Sequence, residues 1–482
     1  MAKEHGIFIY EEATALTIPK ESSAGLQVVI GTAPVNMAED PDSVVNTPIL
    51  ATSSTEAQAN LGYSRNFEDF TLCQTMYITA NVCVVSPVVY INVLDPKKHK
   101  KDLDEQTVKV DEYQATVETE GILKKELVVK YGEDTLKEND DYTLAFDTDG
   151  YLVITLVAAG AGGNATELKV SGKMLDPGMV DKYDIIGAYN ASTGKETGME
   201  VIRQIFPKLG MVPGILLAPG WSQEPEVGIA LAAKAANING VFKAMAFLDL
   251  DTEKARKYTD VKEVKEKSGF TSEFCYVLWP CFMVGEMIFA ASAVVAARAA
   301  YLDAENEDIP SKSPSNKATP ITGTCLADGI EVTLDQDQGT VVNTFGVTTA
   351  INRNGFRPWG SYTGAWPASG DAKDIWINVR RMFNWQGNTF ILTYFDKVDD
   401  NMNRALIDNI IDSENIRCAA YAPQHWAGAS IEYLAEDNPA TSILAGEMKF
   451  RQHIAPYTPA QTINNVINYD TELLTAVLTG GD

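Results

Sequence analysis

The side chains best placed to do chemistry are two carboxylates, Asp249 and Asp251. They stand near the carboxyl end of a predicted parallel strand, Lys243 to Leu250, where open α/β sheets gather their sites. A metal or general-base role is one reading. Helix capping is the other, because a helical pattern begins at Thr252. Two glycine-bearing runs invite a phosphate-binding reading, Gly160-Ala161-Gly162-Gly163-Asn164 and Gly194-Lys195-Glu196-Thr197. The first lies between predicted strands, with no helix N-terminus to present amides. The second has Glu196 where Ser or Thr should follow the lysine. His5, His99, His425 and His453 are scattered without metal-ligand spacing, no Gly-x-Ser-x-Gly elbow occurs, and no cysteine has a histidine partner. No catalytic, cofactor-binding or metal residues are predicted.

The stretch that stands out positions basic side chains. Ile375, Val379, Met382 and Phe383 recur with helical period, which places Lys373, Arg380 and Asn384 on the opposite side. A short β-prone run, Phe390 to Phe395, follows. A second helix opens at Asp399 and Asp400, with Met402, Leu406, Ile407, Ile410 and Ile411 as its buried face. Helix, strand and helix are expected to pack as one unit with a basic side left over.

That basic side is unusual, because 65 acidic against 39 basic residues in 482 give a formal charge of −26. Such a charge repels phosphate backbones and anionic lipid, so neither nucleic acid nor a membrane is an expected partner. The six cysteines show no CxxC pair and no signal peptide precedes them, which points to reduced thiols in a cytoplasm. The apolar run Cys281 to Ala300 is interrupted by Glu286 and Arg298 and reads as a buried helix of a soluble protein.

The length predicts several domains, and the pattern divides the chain. Gly6-Ile7-Phe8-Ile9-Tyr10 is apolar on both strand faces and needs cover on both sides, either within its own sheet or in a neighbouring molecule. Strand and helix then alternate: strand Gln27 to Gly31, helices Ser54 to Leu61 and Glu68 to Ala80, strand Val82 to Val89. Five short β-prone runs follow, Thr107 to Val110, Glu126 to Tyr131, Asp141 to Phe146, Tyr151 to Val157 and Glu167 to Ser171. They predict an all-β, sandwich-like module inserted through the charged run Lys97 to Asp104. Alternation resumes with helix Glu196 to Phe206, strand Gly214 to Ala218 and helix Glu224 to Asn237. Strand Lys243 to Leu250, helix Thr252 to Lys267, strand Glu273 to Trp279 and helix Glu286 to Asp303 follow. These predict a mostly parallel sheet flanked by helices. Ile309 to Pro320 is a loop, and Ser430 to Leu434, Glu447 to Ala455 and Gln461 to Asp470 read as strands.

In order along the chain, several motifs resemble those of contractile tail sheath proteins of bacteriophages and phage-tail-like bacteriocins. They are Gly6 to Glu12, Ala218-Pro219-Gly220-Trp221-Ser222, Pro314-Ser315-Asn316-Lys317 and the run Asn352 to Gly360. Val379-Arg380-Arg381, Glu436 to Pro439, Gly446 to Phe450 and Ile454 to Ala460 complete the series. The resemblance implies a non-enzymatic structural subunit, without cofactors, that polymerises with itself as stacked six-fold rings around an inner tail tube. Baseplate and tail terminator proteins would be further partners, with assembly in a bacterial cytoplasm.

The chain then divides into an N-terminal arm (residues 1–20), an α/β domain (21–95 with 185–355) and the inserted β domain (96–184). The last is read from its β-prone runs and falls outside the resemblance, at a place where the family varies and insertions face outward. A C-terminal α+β domain facing the tube (356–460) and a C-terminal arm (461–482) follow. On this reading Gly6, Ile7, Phe8, Ile9 and Tyr10, with Ile463, Val466, Ile467 and Tyr469, would be exchanged between subunits. Lys373, Arg380 and Arg381 would face the tube. The competing reading is an α/β ligand-binding or metabolic protein with a site at the sheet crevice near Asp249 and Asp251.

Overall fold

The computed structural model describes residues 22–147 and 149–479. The predicted N-terminal arm, Gly6 to Tyr10, lies outside the described residues. The chain opens with β1 (Gln27–Gly31), β2 (Pro48–Ala51), α1 (Ser54–Leu61), α2 (Leu72–Asn81) and β3 (Val88–Asn92). A β-rich stretch follows: β4 (Lys100–Lys109), β5 (Gln114–Val117), β6 (Val128–Tyr131), β7 (Asp134–Thr135), β8 (Tyr142–Phe146), β9 (Leu152–Leu156) and β10 (Glu167–Leu175). Next come α3 (Lys182–Ile186), β11 (Tyr189–Asn190), β12 (Lys195–Glu196), α4 (Ile205–Leu209), β13 (Ile215–Leu217), α5 (Pro225–Ala236) and β14 (Met245–Asp249). They lead through α6 (Val261–Ser268), β15 (Cys275–Leu278), β16 (Cys281–Val284), β17 (Met287–Phe289) and α7 (Ala291–Ala304) to β18 (Gly323–Cys325).

The last third holds α8 (Gln336–Thr344), β19 (Val347–Asn352), β20 (Phe356–Trp359), α9 (Ala372–Ile375), α10 (Ile377–Tyr394) and α11 (Arg404–Ala420). It closes with β21 (Trp426–Glu432), α12 (Ala440–Leu444), β22 (Arg451–Pro456) and α13 (Thr471–Thr479).

The central sheet has eight strands in the order β2-β3-β1-β13-β14-β15-β19-β20. Its interior pairs are parallel, and the two edge strands, β2 and β20, run antiparallel. Strands covered by helices on both faces must be apolar on both faces. Accordingly β1, β3, β14 and β15 are buried at every position. The expected mostly parallel sheet is therefore present. Local signals set its helices: Ser53 accepts the Glu56 amide at the start of α1, and Gly62, with φ +74°, ends it.

The stretch β4 to β10 forms two antiparallel sheets, β4-β10-β6-β7 and β5-β9-β8. Leu103, Val129, Leu168 and Val170 of the first pack with Val117, Leu152 and Ile154 of the second in an apolar cluster of their own. Alternating burial along β9, with Leu152, Ile154 and Leu156 inside, is what a two-layer β packing requires.

Several expectations fail. The strand expected over Val82 to Val89 begins only at Val88, as β3, and the helix expected over Glu196 to Phe206 is divided among β12, a 3-10 stretch (Gly198–Gln204) and the start of α4. Phe390 to Phe395 is no strand: α10 runs on to Tyr394, and Phe390 meets Tyr394 one turn later with ring centroids 4.7 Å apart. Aromatic β-propensity is overridden by packing along a long helix. The predicted helix Glu286 to Asp303 starts too early: Glu286 sits in the turn of the β16–β17 hairpin, Met287–Phe289 is β17, and the helix, α7, begins only at Ala291. The helix expected from Thr252 begins only at Val261, after turns in which Asp251 accepts the Glu253 and Lys254 amides. Gln461 to Asp470 contains no strand and leads into α13, because nothing among the described residues pairs with it.

Candidate functional site

Polar residues dominate the buried face of α10. Arg381 is 3% exposed and reaches Asp303 at the end of α7 with both terminal nitrogens. Nη1 donates to Oδ1 at 3.1 Å, and Nη2 serves both Oδ2 and the Ala24 carbonyl, the latter at 3.0 Å. Burial pushes the Asp303 carboxyl up, and the Arg381 charge opposes it. Arg380, 7% exposed, donates to Asn384 at 3.1 Å and lies over the Phe274 and Phe383 rings. Asn384 bonds the Ala244 carbonyl at 3.0 Å, and Asn388 brackets Lys243, accepting its N–H and donating to its carbonyl.

The expected basic outer side is thus corrected. Arg381 ties α10 to α7 and to Ala24, Arg380 pairs with Asp374 at 3.4 Å, and Asn384 docks the helix onto the segment leading into β14, so both arginine charges are met inside the subunit. Lys373 does remain exposed, held by Asp371 at 3.0 Å and Asp374 at 2.6 Å.

A second buried network joins α10, α11 and β22. Glu414, fully buried, accepts from Gln386 at 2.6 Å, Gln452 at 2.8 Å and Tyr394 at 3.2 Å, and pairs with Arg417. Burial alone would raise the Glu414 carboxyl, but Arg417, Gln386 and Gln452 hold it below its ordinary value. Sequence reasoning missed this network. Its signal was a Glu and an Arg three residues apart on the face shared with Ile407 and Ile410.

The hairpin β21–β22 is pinned by this network and by Asn415. The Asn415 amide donates to the Ile431 carbonyl at 3.2 Å and accepts the Ile431 N–H at 2.9 Å. Groups of Ile431 taken by α11 point away from β22, so the outer edge of β21 is occupied. Among the described residues β22 is the free edge of a two-stranded sheet, with exposed and half-buried positions alternating along it. An unpaired edge is a template for another strand.

Beyond the hairpin the tail leaves the body. Tyr457 donates to the Pro423 carbonyl at 2.9 Å, Asn378 to the Tyr457 carbonyl at 2.9 Å, and Tyr362 to Gln461 at 2.7 Å. Past that point every described residue is exposed. Ile463, Val466, Ile467 and Tyr469 are between 78% and 87% exposed, and Leu473, Leu474, Val477 and Leu478 line one side of α13 without cover. The spacing of those last four residues was a legible helical signal that the sequence reading passed over.

The sheet crevice offers less. Asp249, 9% exposed, accepts from Ser222 at 3.0 Å and from the Ser292 backbone and hydroxyl at 2.8 and 2.5 Å. It therefore caps the N-terminus of α7 rather than the helix after itself. Burial pushes its carboxyl up, while the Ser292 and Ser222 donors oppose this. Asp251 lies on a surface crevice with Gln223, Lys254 and Lys267, its carboxylate paired with Lys254 at 2.6 Å. The two carboxylates do not converge.

In the glycine run at 160–164, the Asp141 carboxylate already takes the Ala161 amide at 2.8 Å, and Gly194 and Lys195 belong to the β11–β12 hairpin. Among the described residues no cluster of three or more His, Cys, Asp or Glu side chains could hold a metal. No described helix is long and apolar enough to cross a membrane.

No family model matches the chain. The tail sheath protein of Burkholderia phage BcepMu is 27% identical over 429 residues, covering 85% of this chain and 85% of that protein. The tail sheath protein of Escherichia phage P2 is 26% identical over 289 residues, or 58% of this chain and 69% of its own length. Among solved structures, the sheath complex of an extracellular contractile injection system, PVC, in its contracted state superposes with a TM-score of 0.57. Identity there is 13%, with 98% of this chain and 99% of that chain covered. The helical sheath of the anti-feeding prophage in its contracted state gives 0.57 at 12% identity, over 98% and 100%. At such identities the structural likeness speaks for the fold. Together with the named relatives it bears out the resemblance to contractile tail sheath proteins.

Proposed function

We propose that this chain, similar to phage tail sheath proteins, is a subunit of a contractile tail sheath: a structural protein, not an enzyme, of a virion or tail-like particle. It polymerises with itself around an inner tube, and its shortening drives the tube through a bacterial envelope. The observation that carries the reading is the apolar tail, Ile463 to Leu478, left uncovered by the described residues, and a β22 edge that no described strand pairs. Fully burying one such side chain stabilises by roughly 1.5 to 3 kcal/mol, so several together favour contact with a second chain. We place the strand-forming part of the tail, Ile463, Val466, Ile467 and Tyr469, and the N-terminal Gly6 to Tyr10 in neighbouring subunits, where main-chain hydrogen bonds link stacked six-fold rings. Inner tube, baseplate and tail terminator proteins are the further partners. Of the basic residues expected at the tube, Lys373 keeps an exposed ammonium; exposed pairs of its kind are worth about 0 to 1 kcal/mol each and release readily.

Electron microscopy of the purified full-length protein tests this. Rings or hollow tubules are expected, and removal of residues 462–482 should abolish them while the thermal transition of the body stays unchanged. A full-length protein that stays monomeric at high concentration, or tubules that persist without the tail, would refute the reading.

A further inference from the structure

β16 and β18 run antiparallel, and their register sets Cys281 directly opposite Cys325. Opposed residues of an antiparallel pair project onto the same face of the sheet. On its other side, Cys325 bridges Glu331, with Leu326 N–H bonded to the Ile330 carbonyl at 2.8 Å and Val332 N–H to the Thr324 carbonyl at 2.9 Å. That pattern turns the N–H and C=O of Cys325 itself toward β16. The two cysteines therefore form a hydrogen-bonded pair, for which Cα atoms stand ~5.5 Å apart. Disulfides most often span ~5.5 to 6 Å between Cα atoms but hold their Cβ atoms ~3.5 to 4.5 Å apart, whereas the Cβ atoms of a hydrogen-bonded pair stand nearer ~5.5 Å, so closure draws the two strands together by roughly 1 Å and leaves the bond strained. The remaining cysteines, Cys73, Cys83, Cys275 and Cys418, are buried, and no strand register among the described residues opposes any two of them.

We propose that Cys281 and Cys325 are a latent cross-strand disulfide, closed by a low-molecular-weight disulfide such as oxidised glutathione. Cys281 is partly exposed and Cys325 fully buried, which fixes the order of events. The Cys281 thiolate attacks one sulfur of the small disulfide, forming a mixed disulfide and releasing one glutathione thiol. The Cys325 thiolate then attacks the Cys281 sulfur, and the second glutathione leaves. Two protein thiols are oxidised, one small disulfide is reduced to two thiols, and the two protons leave on them.

The new bond ties the β16–β17 hairpin to β18 across the intervening α7. A chain assembled in a reducing cytoplasm and then released meets the oxidant only afterwards. Burial, with Asp249 and Cys325 nearby, pushes the Cys281 thiol well up, and burial with Asp328 nearby pushes Cys325 up to about 11. Thiolate is therefore scarce near neutrality, and closure accelerates as pH rises.

The test incubates the folded full-length protein with oxidised glutathione, removes the glutathione, unfolds the protein in the presence of N-ethylmaleimide, then digests and weighs the peptides. The expected product joins the Cys281 and Cys325 peptides, loses two of the six alkylatable thiols and forms roughly tenfold faster per pH unit between about 7 and 9. Cys281→Ser should keep all its remaining thiols, and Cys325→Ser should stop at a glutathione adduct on Cys281. Six alkylatable thiols after treatment, a persistent Cys281 adduct in the unsubstituted chain, or linkage only between chains would each overturn the proposal.

Discussion

Replacing Arg381 with methionine keeps the aliphatic stem and removes the charge that Asp303 faces. Both side chains are almost wholly buried, at 2% and 1% exposure, so Asp303 would be left as an uncompensated carboxylate in the interior. Removing one partner of a buried pair costs about 3 to 5 kcal/mol, whereas an exposed pair is worth about 0 to 1 kcal/mol. The two placements of Arg381, interior clamp or outer basic side, therefore predict different outcomes. Trp385, one turn along α10 and 2% exposed, makes tryptophan fluorescence a reporter of this unit during urea unfolding. With a slope of about 3 kcal/mol/M, a loss of about 4 kcal/mol lowers the midpoint by roughly 1.3 M. Arg381→Met combined with Asp303→Leu should recover at least half of that loss, because an apolar pair no longer buries a lone charge. A single variant whose midpoint falls by less than about 0.3 M would refute the clamp, since surface substitutions stay within that range.

Other outcomes follow from the same geometry. Ile467→Asp, at a side chain 87% exposed, should prevent assembly seen by electron microscopy and leave the monomer's melting temperature unmoved; a large drop would place Ile467 in its own subunit's core. Lys265 donates to the Gly364 and Trp366 carbonyls, and burial lowers its ammonium to about 8. Between that value and about 10.5 the unfolded chain holds the extra proton, so stability is lost as pH falls through the window and regained as it rises, by about 3 kcal/mol. Urea midpoints of the native chain relative to Lys265→Met should therefore climb across it; a flat difference would count against the burial argument. Gly187→Ala should unfold the protein or destabilise it well beyond Gly194→Ala. Both glycines have positive φ, 71° and 68°, but a Cβ at Gly187 would stand 1.8 Å from the Thr197 carbonyl oxygen while at Gly194 it meets open space. Equal urea midpoints for the two variants would contradict this.

Where local chemistry and tertiary structure agree, the sequence was readable. Gln27–Gly31 is apolar on both faces and is β1 to the residue, and Ser54–Leu61, with Ser53 before it and Gly62 after, is α1 to the residue. The short β runs between Thr107 and Ser171 also lie where expected, because period-two burial is a local property. What failed depended on partners far along the chain. Arginines on a helix read as a solvent face, and only the fold brings Asp303 to Arg381 across 78 residues. Gln461 to Asp470 has the composition of a strand, but a strand needs a neighbour, and none stands beside it among the described residues. Asp249 read as the cap of the helix that follows it, because the partner it does cap, Ser292, lies 43 residues on.

The amide of Asn415 plugs one side of the β21–β22 pair, while no described strand takes the other. Such a hairpin has a valence of one: a strand from outside can add only at β22, and once added it carries the next open rim itself. Growth through this point has a heading. Two hairpins cannot mate back to back through β21, so the polarity of any fabric woven here would be written by a single side chain.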